Sequence, residues 1–110
     1  MPESPTIIAE GTQAATVGTE HTLDEETTAH TYVLVVDASN LASGDVLELR
    51  LYSKVRAAST QNVAYYATFS GAQSQPNKYS VPIPITEDVK ATLKQTAGVG
   101  RSFDWQLLAL

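Results

Sequence analysis

Hydrophobic and polar residues alternate singly along much of this chain, and a period of two is the pattern expected of β-strands. The clearest case is the segment 46–56. Charged residues occupy most of one parity there, and the other parity carries Leu47, Leu49, Leu51 and Val55. Because successive side chains of a strand point to opposite faces, the sequence predicts a strand with one buried face and one charged face.

Five further segments show the same alternation or an unbroken apolar, β-branched run. They predict strands over 31–36, 63–70, 79–86, 89–94 and 103–107. Pro82 and Pro84 fall on the outward parity of their segment, with Tyr79 and Val81 on the inward one. Because proline cannot donate to a β-ladder, we expect an edge strand there. Residues 86–95 begin with helix-start residues, but the alternation within them favours a strand.

Turn signals separate these strands at intervals of about 8–12 residues, a spacing typical of β-sandwiches and barrels. The segments 37–45, 57–62 and 71–77 are rich in small and polar residues, and Gly98-Val-Gly100 predicts a hairpin. The sequence therefore predicts an all-β fold, an antiparallel β-sandwich of about seven or eight strands. The parities place five aromatic residues in its core: Tyr32, Tyr65, Phe69, Phe103 and Trp105.

The first 28 residues differ in composition from the rest of the chain. They are rich in Thr, Ala, Gly and Glu and contain few large side chains. We expect residues 1–28 to form an extended acidic N-terminal arm with one or two short strands, and residues 29–110 to form the β-sandwich domain. The start of the chain has no basic segment followed by an apolar run, so no secretory signal is expected.

Charge is divided unevenly along the chain. All seven Lys and Arg residues lie from Arg50 onward, whereas nine of the twelve Asp and Glu residues precede it. Residues 1–49 therefore carry a net charge of −9 and residues 50–110 a net charge of +4, which together give −5. Opposite charges attract, so we expect the two halves to meet within one fold or between copies, which favours an assembly role.

Two groups of residues are candidates for contacts between copies or with a partner. The basic group combines cations with tyrosines on the outward parity, and Arg and Tyr are enriched at protein interfaces. The acidic group lies within the first 28 residues. The predicted partner interface consists of Arg50, Tyr52, Lys54, Arg56 and Tyr66 on the basic side, and Glu20, Asp24, Glu25 and Glu26 on the acidic side.

Other binding partners are left open or disfavoured. Tyr52 and Tyr66, with Trp105 as a further member, also suit the platform of a carbohydrate-binding module. The net charge of −5 disfavours a general nucleic-acid-binding protein, which needs a basic face. The apolar run Tyr32–Val36 is far shorter than the roughly 20 residues of a membrane helix.

The chain has few residues from which an active site is built. His21, Asp24, Glu25 and Glu26 form the densest group of ligand-type residues, but one His beside adjacent acids is more typical of a solvated turn than of a metal site. Cation binding there is an open question. The chain has no Cys, and no Ser lies in a Gly-x-Ser-x-Gly setting. We therefore predict no enzyme activity and no cofactor; an enzyme using His21 or His30 is the rival reading.

Two segments resemble small virion structural proteins encoded by tailed bacteriophages. They are YVLVVDASNLASGDVLELRLYSKVR, residues 32–56, and LKQTAGVGRSFDWQLLAL, residues 93–110. The resemblance implies a structural protein of the particle and, within that class, a capsid decoration or cement protein, which is typically a small β domain that oligomerises on the shell. It marks strands and turns, so it assigns no functional residue.

The same resemblance implies the partners and the location. A decoration protein binds the major capsid protein or another virion protein, associates with itself as a dimer or trimer, and is made in the host bacterial cytoplasm before it joins the virion. Neither nucleic acid nor a membrane is expected as a partner. A tail, neck or head-fibre component is the alternative within the same class.

Overall fold

The computed structural model describes residues 5–110, and within this range it contains nine strands and no helix. All strand pairs are antiparallel, so the predicted all-β antiparallel sandwich is confirmed. The strands are β1 (Thr6–Ala14), β2 (Glu20–Glu26), β3 (His30–Asp37), β4 (Val46–Ser53), β5 (Asn62–Ser70), β6 (Asn77–Tyr79), β7 (Ile83–Ile85), β8 (Val89–Ala97) and β9 (Ser102–Ala109).

The strands form two sheets. Sheet I has the order β1-β9-β3-β6, and β7 also pairs with β3. Sheet II has the order β2-β8-β4-β5. The chain therefore crosses between the sheets at most of its connections, which is how a sandwich encloses one core between two layers.

The core lies between the inner faces of the sheets. Its apolar side chains come from alternate positions of the inner strands, as the period-two pattern predicted. Sheet I contributes Tyr32, Leu34, Val36, Phe103 and Leu107, and sheet II contributes Leu47, Leu49, Leu51, Val89, Ala91 and Leu93. Tyr65, Phe69 and Trp105 are partly buried and pack against this cluster, so the five aromatic residues predicted for the core all contact it.

The inward prediction for Val55 is wrong. Strand β4 ends at Ser53, and residues 54–61 form the loop to β5, where the alternation of faces no longer applies. Val55 is 84% exposed. Val63, opposite Tyr52 beside a register shift in the β4–β5 pair, is also exposed rather than buried.

The hairpin predicted at Gly98-Val-Gly100 is also wrong. This turn joins β8 of sheet II to β9 of sheet I, and the two strands do not pair with each other. The glycines still mark a tight connection, because Gly98 adopts a φ of 88°. A tight turn between alternating segments therefore does not by itself distinguish a hairpin from a crossing between sheets.

The segment 79–86 lies at the edge of sheet I, as the prolines predicted, but it is divided in two. Ser80 interrupts the alternation: its N–H donates to the Leu34 carbonyl at 2.8 Å, and its Oγ accepts the Leu34 N–H at 2.9 Å. The buried position thus passes to Ser80, and the inward prediction for Tyr79 and Val81 is wrong, since both are exposed.

Most of the segment predicted as an arm is part of the two sheets. Strand β1 is an edge of sheet I and pairs with β9, and strand β2 is an edge of sheet II and pairs with β8. Both are longer than the short strands expected, because small and polar residues are accommodated at an edge where many side chains face solvent. Residues 1–4 of the predicted arm lie outside the described residues.

Candidate interaction surfaces

The outer face of sheet II carries most of the residues predicted for an interface. The strand register places outward side chains in rows across the four strands. One row is Glu20, Lys94, Glu48 and Thr68, and the next is Thr22, Thr92, Arg50 and Tyr66. Acids and cations from distant parts of the sequence therefore meet on one face of a single copy.

Glu20 is the centre of a hydrogen-bonded group on this face. Its Oε2 accepts hydrogen bonds from the Tyr52 hydroxyl and, at 2.7 Å, from the buried Thr92 hydroxyl. Burial raises the pKa of Glu20, but these two hydrogen bonds and the charges of Arg50 and Lys90 outweigh it, so the pKa lies below its ordinary value. The carboxylate therefore stays ionised and holds three strands together.

Arg50 is also satisfied within the chain. Its guanidinium forms a 2.9 Å ion pair with Glu48 and lies 4.8 Å from the centre of the Tyr66 ring, in cation–π geometry. The Tyr66 hydroxyl donates back to Glu48 at 3.1 Å. Lys90 similarly lies 4.7 Å from the centre of the Tyr52 ring.

The uneven charge of the sequence is thus largely compensated inside one fold. Glu20, Arg50, Tyr52 and Tyr66, which the sequence assigned to opposite sides of an interface, lie together on sheet II. Their contact with a partner is not needed to explain their charge pattern.

Lys54 and Arg56 are in a different position. They belong to the loop after β4, and neither forms an ion pair with any carboxylate among residues 5–110. Val55 between them is the most exposed of the large apolar residues in that range. The base of this loop is fixed, because the Gln61 amide donates to Glu25 at 3.1 Å and to Asp88 at 2.8 Å.

Asp24 and Glu26 form a close carboxyl pair on β2. A hydrogen bond with Asp24, burial and the charge of Asp24 together raise the pKa of Glu26 to about 7. One Asp24 oxygen is buried without a hydrogen-bond partner. The Glu26 carboxyl therefore keeps its proton to a higher pH than an isolated carboxyl does.

His21 does not join these acids. Its Nε2 accepts the backbone N–H of Thr16 at 3.0 Å, which fixes the turn between β1 and β2. Among the described residues, no group of three or more His, Cys, Asp or Glu side chains is arranged to hold a metal ion. His30 packs edge-on against Tyr32, with ring centres 5.8 Å apart.

A groove of about 650 Å³ on the outer face of sheet I was not predicted from the sequence. Its floor consists of two rows across the strands. Within residues 5–110 its lining includes three carboxylates and no Lys or Arg. The rows are Glu10, Gln106, Val35 and Tyr79, and Thr12, Asp104, Asp37 and Asn77.

The polar groups of this groove are held in place by their neighbours. Thr12 donates to Asp104 at 2.6 Å, and the Gln106 amide donates to Glu10 at 3.2 Å. Asp37 accepts the N–H of Ser39 at 2.9 Å. Alternation marked only Asp104 and Gln106 as outward. Four separate strands contribute to the groove, so only the strand order brings its residues together.

The apolar part of the same face lies beside the groove. Ile7 of β1 is opposite Leu108 of β9, and Leu108 is opposite Val33 of β3. Ile7 is 51% exposed, and Leu110 at the end of the chain is exposed as well. Sheet I therefore presents an apolar row next to an acidic groove.

The carbohydrate platform suggested by the sequence is not formed. Tyr52 and Tyr66 lie on the outer face of sheet II, whereas Trp105 belongs to sheet I and packs against the core. The Trp105 side chain lies against Gly11 of the neighbouring strand. The three rings thus share no common surface.

One buried charge belongs to the scaffold rather than to a site. Asp45 is 1% exposed and accepts hydrogen bonds from the Ala42 N–H at 2.9 Å, the Val99 N–H at 3.0 Å and the Arg101 guanidinium at 2.8 Å. The Ala42 N–H lowers the pKa of Asp45; burial opposes this, but Arg101 and Val99 add to the lowering. All its oxygens are engaged in joining the start of β4 to the turn before β9.

Comparison with known proteins assigns neither a family nor a function to this chain. No family model matches the chain, and no curated protein matches it. A chain in the structure of infectious bursal disease virus, Gx strain, is similar with 12% identity and a TM-score of 0.43, over 96% of this chain and 32% of that one. This chain thus spans about a third of the virus chain's length, and a likeness this weak carries no argument about function. Within residues 5–110 there is no helix long and apolar enough to cross a membrane.

Proposed function

We propose that this chain is a non-enzymatic structural protein of a tailed-bacteriophage virion, and that it decorates the capsid and stabilises the head. The observation that carries the proposal is the outer face of sheet I. There the exposed Ile7 ends an apolar row that continues through the partly buried Leu108 to the buried Val33, and this row lies beside an acidic groove. Apolar side chains bordered by charged groups are typical of a surface that a protein partner covers.

The resemblance to small phage virion proteins supports the same conclusion. Residues 32–56 include β4 and nearly all of β3, and residues 93–110 include β9 and the second half of β8. These are the inner strands of both sheets. The similar segments therefore supply the scaffold, while the edge strand β1 adds Ile7 and Glu10 to the outer face of sheet I.

The major capsid protein, or another virion protein, is the partner we assign to the apolar row. Shell proteins present extended surfaces, and burial of apolar area provides most of the free energy of such contacts. The acidic groove disfavours the phosphate backbone of nucleic acid, which requires cations.

Particles that lack this protein provide the test. Added wild-type protein should bind them and raise the temperature at which they lose their genome. Ile7→Asp should weaken this binding at least about tenfold, because it places a charge in the apolar row. Val99→Asp is the matched control, since Val99 is also an exposed apolar residue but lies in the turn between the sheets.

Unchanged heat resistance after saturating addition of the protein would exclude the cement role. Equal effects of the two Asp variants would exclude sheet I as the binding face. Electron microscopy of labelled particles separates the head from the tail, neck or head-fibre positions that are the alternative within this class.

A further inference from the structure

We propose that the loop Lys54–Val55–Arg56 of one copy docks into the acidic groove on sheet I of a second copy. The inference rests on the proposed role of sheet I as a protein-binding surface, and it names the occupant of the groove. Two observations carry it: a basic loop tip with an exposed apolar residue, and a groove with matching charge.

The loop tip has the properties of an inserted element. Lys54 and Arg56 have no ion-pair partner among residues 5–110, and Val55 between them is 84% exposed. The rest of the loop is fixed at its base by Gln61, and Ser59 donates to the Arg56 carbonyl at 2.9 Å to close a turn. Val55 and Arg56 are therefore exposed to solvent, and Lys54 beside them is partly exposed.

The groove has the complementary properties. Glu10, Asp37 and Asp104 contribute three negative charges, and Val35 and Tyr79 provide apolar surface between them. Its volume of about 650 Å³ lies within the range of sites that bind small ligands or a few side chains, roughly 300–1,000 Å³. The two cations that flank Val55 in the loop are therefore complementary in charge to the three carboxylates of the groove, and Val55 is complementary to its apolar floor.

The chain cannot make this contact with itself. Asp37 is the last residue of β3. The next strand, β4, belongs to the other sheet and runs in the opposite direction, and Lys54 follows its last residue. A strand of eight residues spans roughly 25 Å, so the groove and the loop lie at opposite ends of the sandwich and on different sheets. The contact therefore joins two copies.

Such a contact uses different surfaces on the two copies. Each copy keeps one free loop and one free groove, so the contacts close into a ring or continue along a row. On a shell, this would link neighbouring decoration proteins to each other while the apolar row binds the capsid.

Charge reversal in full-length protein tests the proposal. Light scattering and sedimentation over a wide concentration range should show that the wild-type protein associates, more weakly at high salt. The loop variant Lys54→Glu/Arg56→Glu and the groove variant Glu10→Lys/Asp104→Lys should each be monomeric, with Kd raised at least about tenfold. An equimolar mixture of the two variants should associate again, because the unaltered loop of the groove variant then meets the unaltered groove of the loop variant, and the acidic loop meets the basic groove.

The control variant is Lys90→Glu/Lys94→Glu, which changes the net charge as the loop variant does but alters only β8 of sheet II, so the loop and groove residues are unchanged. It should associate like the wild-type protein, and thermal unfolding establishes that every variant is folded. A wild-type protein that stays monomeric at all concentrations, or a mixture that does not associate, would overturn the inference. Binding to particles is measured separately, so a failure of self-association would not contradict the decoration role. If wild-type monomers bound particles only through the groove, the occupant of the groove would be a basic segment of the shell instead of a second copy.

Discussion

Gly98 lies directly against the buried carboxylate of Asp45, with no room for a side chain between them. Gly98 has a φ of 88°, and the residue after it donates its N–H to the same carboxylate at 3.0 Å. This contact fixes the turn through which the chain leaves sheet II and enters sheet I. A position that the sequence marks only as a glycine turn thus determines how the two layers are joined.

Replacing Gly98 tests this contact directly. We expect Gly98→Ala to lower the free energy of unfolding by at least ~2 kcal/mol, because backbone strain of about 1–2 kcal/mol is added to a steric overlap with Asp45. Gly44→Ala is the matched control: Gly44 has the same φ of 88°, but nothing lies within 4 Å of a Cβ there. Urea unfolding measures both, and equal losses would mean that the overlap is relieved at no cost.

Asp45 should make the protein sensitive to acid. Its pKa is lowered in the folded state, so its contribution to stability is present above the pKa of the unfolded chain and is lost as the pH falls through the folded-state value. We expect Asp45→Asn to lower the melting temperature at pH 7 by roughly 5–15 °C. The difference from wild type should shrink towards pH 2, and a difference that is constant with pH would contradict the ionised role.

Glu26 should have the opposite pH dependence. Its pKa is raised from 4.5 to about 7 on folding, so the folded state binds the proton more tightly than the unfolded chain. Stability from this pair is therefore present below pH 4.5 and is lost as the pH rises to about 7.

Melting temperatures between pH 4.5 and 8 should reveal this loss in the wild-type protein. Glu26→Gln should reduce the loss and should be more stable than wild type at pH 8, because no charge then opposes Asp24. Glu25→Gln serves as the control, since Glu25 lies beside the pair but bonds to Gln61 instead. If the two variants had identical pH profiles, the raised pKa of Glu26 would be disproved.

The hydroxyl of Thr92 should contribute measurably to sheet II. Thr92 is buried on the outer face and donates to the ionised Glu20 at 2.7 Å. Thr92→Val keeps the shape but removes this bond, and we expect a loss of about 1–2 kcal/mol in the free energy of unfolding. Thr68→Val on the exposed β5 position should have little effect, so a similar loss in both variants would point to strand propensity instead.

Local alternation predicted the strands well because it depends on neighbouring residues alone. Leu47, Leu49 and Leu51 are buried as expected, whereas Val55 is exposed because the strand ends before it, and no local signal marks that end. Which strands pair with each other does not depend on neighbouring residues alone. The turn at Gly98 crosses between sheets, and this follows from which strands bond to β8 and β9 rather than from the turn residues.

The candidate surfaces show the same limit. Arg50 was correctly assigned to an outward face and Glu20 to the acidic group of the N-terminal segment, but their meeting on one sheet depends on β8 lying between β2 and β4. The groove on sheet I was missed for the same reason: Glu10, Asp37 and Asp104 come from three strands distant in sequence. Residue types and parities were readable from the sequence, and their neighbours across the sheet were not.

The pairing of β1 with β9 has a consequence for how this protein is made. Residues 6–14 are synthesised well before residues 102–109, with which they form hydrogen bonds. On the ribosome, β1 must wait unpaired until almost the entire sandwich has emerged, and contacts between such distant segments form slowly. During this interval β1 is exposed to solvent and to other nascent chains. Its sequence contains Thr and Glu and no long apolar run, which limits its tendency to aggregate.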